Sequence, residues 1–274
     1  MVRPLLKWAG GKRQLLPELS KRLPHDFNSY WEPFLGGAAL FFHLSERQEG
    51  LRAILSDINP AICLFYKTVR DRADDLIEYA ATLCYANSSS DFYEARARFN
   101  SIDGNKEPVE KSGLLLYLNR HCFNGLYRVN SKGEFNVPFG SYIKPRMPSD
   151  EEILAASKSL NKTEIRHDDF QEVLAGATGG DFVYLDPPYE PISNSSSFTA
   201  YSKGGFGREH QERLSKVMWD LDSKGVKFML SNSGNSFLKE LYSGFRIMPV
   251  EARRNINSIG NGRGSVREII VTNY

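Results

Sequence analysis

The sequence predicts an α/β protein, with a mostly parallel sheet, helices on both faces and an antiparallel strand at its carboxyl-terminal end. Three observations carry this. Short apolar runs such as Phe182-Val183-Tyr184-Leu185 lack polar alternation, as strands covered on both faces do. Stretches with helical periodicity separate them, the rhythm of a parallel sheet with crossover helices. Several runs stop at glycine, proline or an acid, which puts polar groups at strand carboxyl ends, where open α/β sheets bind ligands.

The first strand is expected at 30–34. It runs into Glu32-Pro33-Phe34-Leu35-Gly36-Gly37-Ala38, a tight turn whose glycines let backbone approach a ligand. A helix at 38–47 follows, its N-terminus favourable to negative charge. The second strand, 51–56, ends at Asp57, 21 residues after Gly36. An acid at that distance is placed to bind ribose hydroxyls. Equally, Asp57 could cap the helix expected at 61–84, with Pro60 at its start. The third strand, 182–185, stops at Asp186-Pro187-Pro188-Tyr189, since neither proline can donate to a ladder. A carboxylate, free carbonyls and a flat ring on stiff backbone suit capture of a planar base bearing an amino group. A helix at 208–224 closes at Gly225, and a strand at 226–230 follows. Runs at 245–250 and 266–272 read as an antiparallel pair. The stretches 193–197, 202–207 and 258–265 read as mobile loops.

Between residues 91 and 162 the rhythm breaks. A helix is expected at 111–123, then a β-hairpin of 126–129 and 134–137 around Asn130-Ser131-Lys132-Gly133. Between Lys111 and Pro148, Lys111, Arg120, Arg128, Lys132, Lys144 and Arg146 face a single acid, Glu134. A second basic cluster comprises Arg253, Arg254, Arg263 and Arg267. Two such clusters beside aromatic and amide residues point to phosphate and base contacts, although the net charge is only +2. The organisation expected is a catalytic domain of residues 1–60 and 163–274, with a target-recognition domain at 61–162.

An apolar fraction of 41% with 25% charged residues fits a soluble globular protein. No apolar run reaches the ~18 residues of a membrane span, and the N-terminus lacks a secretory core. Cys63, Cys84 and Cys122 are scattered, which argues against a disulfide framework or zinc site and for a reducing cytoplasm. The five histidines are scattered too. Lys7-Trp8-Ala9-Gly10-Gly11-Lys12 is not a P-loop, because Leu6 and Arg13 stand where glycine and Ser or Thr are required.

Together, Lys7 to Lys12, Glu32 to Gly37, Ser56-Asp57-Ile58-Asn59 and Asp186 to Tyr189 resemble the Dam-type DNA adenine N6-methyltransferases. So do Leu116-Tyr117-Leu118-Asn119-Arg120, Asn124-Gly125-Leu126-Tyr127-Arg128, Gly133 to Gly140, and Ser231-Asn232-Ser233. The resemblance spans nearly the whole chain in the family's order. Ala38 and Asp168 stand where relatives often have glycine, and Phe123 where tyrosine is common.

The resemblance implies a Rossmann-like methyltransferase fold carrying a helical and hairpin DNA-recognition insertion. It implies S-adenosylmethionine held by Trp8, Lys12, Phe34, Gly36, Asp57, Asp169, Phe170 and Asp186. Asp186, Pro187 and Tyr189 would be catalytic. Lys7, Phe123, Asn124, Leu126, Arg128, Pro138 and Tyr142 would contact double-stranded DNA, with GATC as target and no metal required. Methyl transfer to cytosine N4, RNA adenine or protein glutamine is a rival, which Asp at 186 disfavours. A catalytically silent DNA-binding protein is a second. A dinucleotide dehydrogenase is weaker, because the GxGxxG fingerprint is absent.

Overall fold

The computed structural model describes residues 2–8, 10–83, 85–189, 206–253 and 265–274. The expected loop at 193–197, most of those at 202–207 and 258–265, and Cys84 lie outside these residues, as do the side chains of the second basic cluster.

The elements run α1 (Leu16–Ser20), β1 (Tyr30–Glu32), α2 (Ala39–Ser45), β2 (Ala53–Ser56), α3 (Pro60–Asp71), α4 (Ala73–Thr82), α5 (Ser89–Ser101), α6 (Pro108–His121), α7 (Asp150–Leu160), β3 (Thr163–Arg166), α8 (Phe170–Leu174), β4 (Phe182–Leu185), α9 (Arg208–Ser223), β5 (Lys227–Ser233), α10 (Ser236–Leu241), β6 (Arg246–Arg253) and β7 (Ser265–Thr272). One seven-stranded sheet has the order β3-β2-β1-β4-β5-β7-β6. β1 to β5 are mutually parallel, and β7 lies antiparallel between β5 and β6.

Both faces of the sheet are covered. Phe182 and Tyr184 enter a core shared with α1 to α7, whereas Val183 and Leu185 enter a second core shared with α8, α9 and α10. That explains the continuous apolar run of β4, whose four residues are all buried. Among the described residues no helix is long and apolar enough to cross a membrane.

The structure corrects several expectations. The helix expected at 61–84 is two helices, broken where Arg72 leaves helical geometry (φ −142°, ψ 43°). Asp74 and Asp75 then supply the acidic first turn that favours a new helix N-terminus. Asn59, not Asp57, caps α3, its side chain accepting from the Ala61 N–H. The expected hairpin at 126–137 follows a hairpin path but forms only a single bridge, Val129 to Phe135. Arg128 and Asn136 add one backbone bond, and Gly133 turns the chain at φ 82°. β1 ends at Glu32, and β5 runs on to Ser233. α5, α7 and β3 were not anticipated.

The basic cluster of the insertion is also thinner than its composition suggests. Lys111 is spent inside the fold, its ammonium bonded to the carbonyls of Phe99 and Ile102. Arg120 is 8% exposed and donates to the Leu5 carbonyl.

Candidate active site

The chain moves outward from β1 to β2 and β3, then returns to β4 and continues to the other edge. The strand order therefore reverses between β1 and β4, and ligands of doubly wound sheets bind outside the carboxyl ends at such a point. The turn after β1 carries Phe34 and Gly36, and the turn after β4 carries Asp186 to Tyr189.

Asp186 Oδ1 receives two donors, the Lys12 ammonium at 2.7 Å and the Ser231 hydroxyl at 2.9 Å. Ser231 Oγ lies 2.8 Å from the Tyr184 hydroxyl. Burial raises the Asp186 pKa, and Lys12 and Ser231 oppose that rise. The Lys12 ammonium also donates to the Gly10 carbonyl and sits 4.6 Å from the Tyr189 ring centroid. Lys12 thus meets the expected catalytic pair directly, a placement its segment alone did not suggest. The Tyr189 hydroxyl donates to Glu268 Oε2 at 2.7 Å, which fixes the ring from β7.

Asp57 stands just past β2. Its Oδ2 accepts the Gly36 N–H at 3.0 Å and its Oδ1 the Asn59 N–H at 2.9 Å. Burial lifts its pKa to about 6, against those two bonds. Gly36 has φ 45°, and a Cβ there would come 2.7 Å from Trp8 Cδ1, so the indole needs glycine beneath it. Ala38 adopts the left-handed conformation at φ 56°, which glycine would take without a Cβ penalty.

Phe34 packs on Phe170 and Phe206 with centroids 5.4 and 5.6 Å apart. Phe170 is 3% exposed, and the Arg213 guanidinium lies 4.4 Å over its ring. Asp169 caps α8 through Gln171 and pairs with Arg213 at 2.6 Å. These residues suit a nucleoside. Each Asp57 oxygen keeps a lone pair for a diol, Ile58 beside it is 50% exposed, and the aromatic cluster offers apolar faces.

Of the expected DNA-contacting residues, Lys7 meets Tyr142, and its side chain packs against Gly125, between Asn124 and Leu126. Asn119, 2% exposed, clamps the Lys7 backbone, accepting its N–H at 2.7 Å and donating to its carbonyl at 2.8 Å. The Lys7 ammonium lies 4.4 Å over the Tyr142 ring, and burial, then Arg120, lowers its pKa. The Phe123 N–H donates to the Pro138 carbonyl, and its ring is 45% exposed. Asn124 adopts φ 54°. Arg128 is braced by Asn136, to Oδ1 at 2.7 Å and the carbonyl at 3.2 Å. Leu126 packs at the edge of the core.

Sequence reasoning gave no role to Ser231, Glu268, Glu32, Asn119 or Arg213. Glu32 is buried under the site, accepts the Tyr30 hydroxyl at 2.9 Å, and has its pKa pushed up to about 8 by burial. Ser231, Glu32 and Asn119 lie within recognised motifs, but only the tertiary register reveals whom they touch.

The strand order, its antiparallel seventh strand and the Asp-Pro-Pro-Tyr turn at the switch point define a Rossmann-like methyltransferase. The chain belongs to the D12 class N6 adenine-specific DNA methyltransferase family, whose model matches residues 8–256. It is 43% identical over its whole length to a type II methyltransferase of Lactococcus lactis subsp. cremoris, covering 96% of that protein. A type II methyltransferase of Methanocaldococcus jannaschii is 40% identical over 100% of the chain and 99% of its own length. The DNA adenine methylase of Serratia marcescens is 38% identical over 98% and 97%. The activity is accordingly methylation of adenine N6 in DNA.

Proposed function

We propose that this enzyme transfers a methyl group from S-adenosylmethionine to a flipped adenine in double-stranded DNA, with GATC as its site. The observation that carries the proposal is the Asp186 carboxylate, held at the switch point with the Tyr189 ring fixed close by. In this reading residues 1–60 and 163–274 form the catalytic unit, and residues 61–162 supply recognition.

S-adenosylmethionine, when bound, supplies an electrophilic methyl group. Trp8, Lys12 and Asp57 would hold the cofactor, Asp57 on the ribose hydroxyls, with Phe34 and Gly36 lining the methionine side and Asp169 and Phe170 flanking the adenine. Lys12 and Asp186 would meet the cofactor where it adjoins the target base. Stacking an adenine against Phe170 requires Arg213 to share or yield that ring.

A base inside the duplex cannot reach Asp186, so it must leave the stack at a cost of a few kcal/mol. Tyr189 would stack on the extruded ring, and its bond to Glu268 fixes the stacking plane. Asp186 and the Pro187 carbonyl would accept the two N6 hydrogens. Those bonds withdraw the nitrogen lone pair from the ring and direct it outward. Positive charge grows on N6 during transfer, and a fixed carboxylate stabilises it there. The remaining contribution is alignment. Lys7, Leu126, Arg128, Pro138 and Tyr142 would read bases, with Phe123 and Asn124 at the gap left by flipping. Guanidinium-to-guanine and apolar-to-thymine-methyl contacts are the pairings available to them.

The test is incubation with S-adenosylmethionine and unmethylated plasmid, followed by mapping of the modified base. N6-methyladenine confined to GATC is expected. Methylation in another context would overturn the site assignment, and methylcytosine would overturn the substrate.

A further inference from the structure

We propose that Ser231 and Tyr184 form a neutral hydroxyl relay that positions Asp186 for transfer, holding its Oδ1 so that Oδ2 is left for the adenine amino group. This rests on the reading of Asp186 given above.

The proton assignment follows from chemistry. An ionised carboxylate only accepts, so the 2.9 Å contact to Asp186 Oδ1 uses the single hydroxyl hydrogen of Ser231. The 2.8 Å contact between Ser231 and Tyr184 must then be donated by the Tyr184 hydroxyl. Burial holds the Tyr184 hydroxyl well above its ordinary pKa, so this donor persists at every working pH. Both residues are buried, Ser231 at 0% and Tyr184 at 1% exposure, and they sit on adjacent parallel strands. Relays of this kind polarise one another and fix a rotamer more firmly than either bond alone.

A neutral donor has an advantage over a charged one. Lys12 also reaches Oδ1, but its positive charge opposes the positive charge that grows on N6. Ser231 orients the carboxylate without that penalty. No described residue donates to Oδ2, so the acceptor remaining for N6 is defined by the two contacts on Oδ1. The other titratable groups around Asp186 are Tyr30 and Glu32 of β1, Tyr189, and Glu268 of β7. Burial keeps Tyr30 and Tyr189 protonated.

The test compares Ser231→Ala, Ser231→Thr, Tyr184→Phe and Asp186→Ala in the full chain. Single-turnover methylation of unmethylated plasmid is followed across pH, alongside DNA affinity and thermal melting. Ser231→Ala is expected to slow transfer about 10- to 100-fold, the effect of losing a hydrogen bond to a charged group, with DNA affinity unchanged. Its acid limb should move upward by about one pH unit, because the ionised carboxylate has lost a donor. Ser231→Thr should restore both, and Tyr184→Phe should give a smaller shift of the same sign. An unshifted acid limb in Ser231→Ala, or in Tyr184→Phe if the alanine variant does not fold, overturns the relay. Activity retained in Asp186→Ala would instead overturn the reading of Asp186 itself.

Discussion

At the scale of single residues, the fold spends its hydrogen bonds on fixing side chains that a sequence motif merely names. Arg128 is an instance. Free in solution, its guanidinium would explore many rotamers, at about 2 kcal/mol of entropy to immobilise. Asn136 holds it by two bonds, so part of that cost is met before DNA arrives. If Arg128 reads guanine, Arg128→Ala should relax preference at one base pair by about 1–3 kcal/mol. Relative methylation rates on duplexes altered at each position of the site would show this, and an unchanged preference would remove Arg128 from base reading. Asp186, Tyr189 and Lys12 were legible as residues, because proline and glycine punctuation marks the turns that carry them. The links from Asp186 to Ser231 and from Tyr189 to Glu268 were not. They join positions 45 and 79 residues apart, and only strand register sets them side by side.

Among the elements, β1, β2, β4 and β5 were legible because buried parallel strands are written as apolar runs, whereas β3, Thr-Glu-Ile-Arg with only alternate residues buried, carries no such run. The insertion was harder. α7 does carry a signal: Ser149 and Glu152 form a reciprocal capping box, a pattern visible as Ser-x-x-Glu. The break at Arg72 has a weaker one, in the acidic pair that follows it. The hairpin path at 126–137 resists reading as strands because side chains of α5 bond its backbone groups. Asn100, for example, both accepts from the Phe135 N–H and donates to its carbonyl. Its continuation is tightly packed, and a Cβ on Gly140 would fall 2.7 Å from the Cys122 carbonyl oxygen. That backbone cannot yield cheaply. Gly140→Ala should therefore displace the Phe123 and Tyr142 segments and weaken DNA binding at least several-fold, leaving S-adenosylmethionine affinity intact. Titrations of each ligand separate the two, and a parallel loss of both would mean that the insertion and the crevice are not independent.

Across the whole molecule, two acids at the strand carboxyl ends, buried Glu32 and half-buried Asp57, tie stability to pH. Glu32 has a folded-state pKa of about 8 against an ordinary 4.5, and Asp57 about 6 against 3.8, burial being the main cause in each. A raised carboxyl pKa means the folded state holds the proton more tightly. The resulting stabilisation is complete below the ordinary values and is lost as pH rises through about 6 for Asp57 and about 8 for Glu32. Glu32→Gln keeps an acceptor for Tyr30 and removes the upper transition. Melting temperatures from about pH 5 to pH 9 should fall more steeply for the wild type than for the variant. Parallel curves would mean that Glu32 is ionised throughout.

The arrangement as a whole puts a fixed carboxylate where the sheet's direction of winding reverses, between β1 and β4. Single-turnover methylation by Asp186→Ala, with DNA affinity and melting temperature measured in parallel, bears on this most directly. If Asp186 stabilises charge at the reacting nitrogen, the expected result is DNA binding within about two-fold of wild type and transfer slowed by several orders of magnitude. Transfer at near wild-type rate would contradict the account.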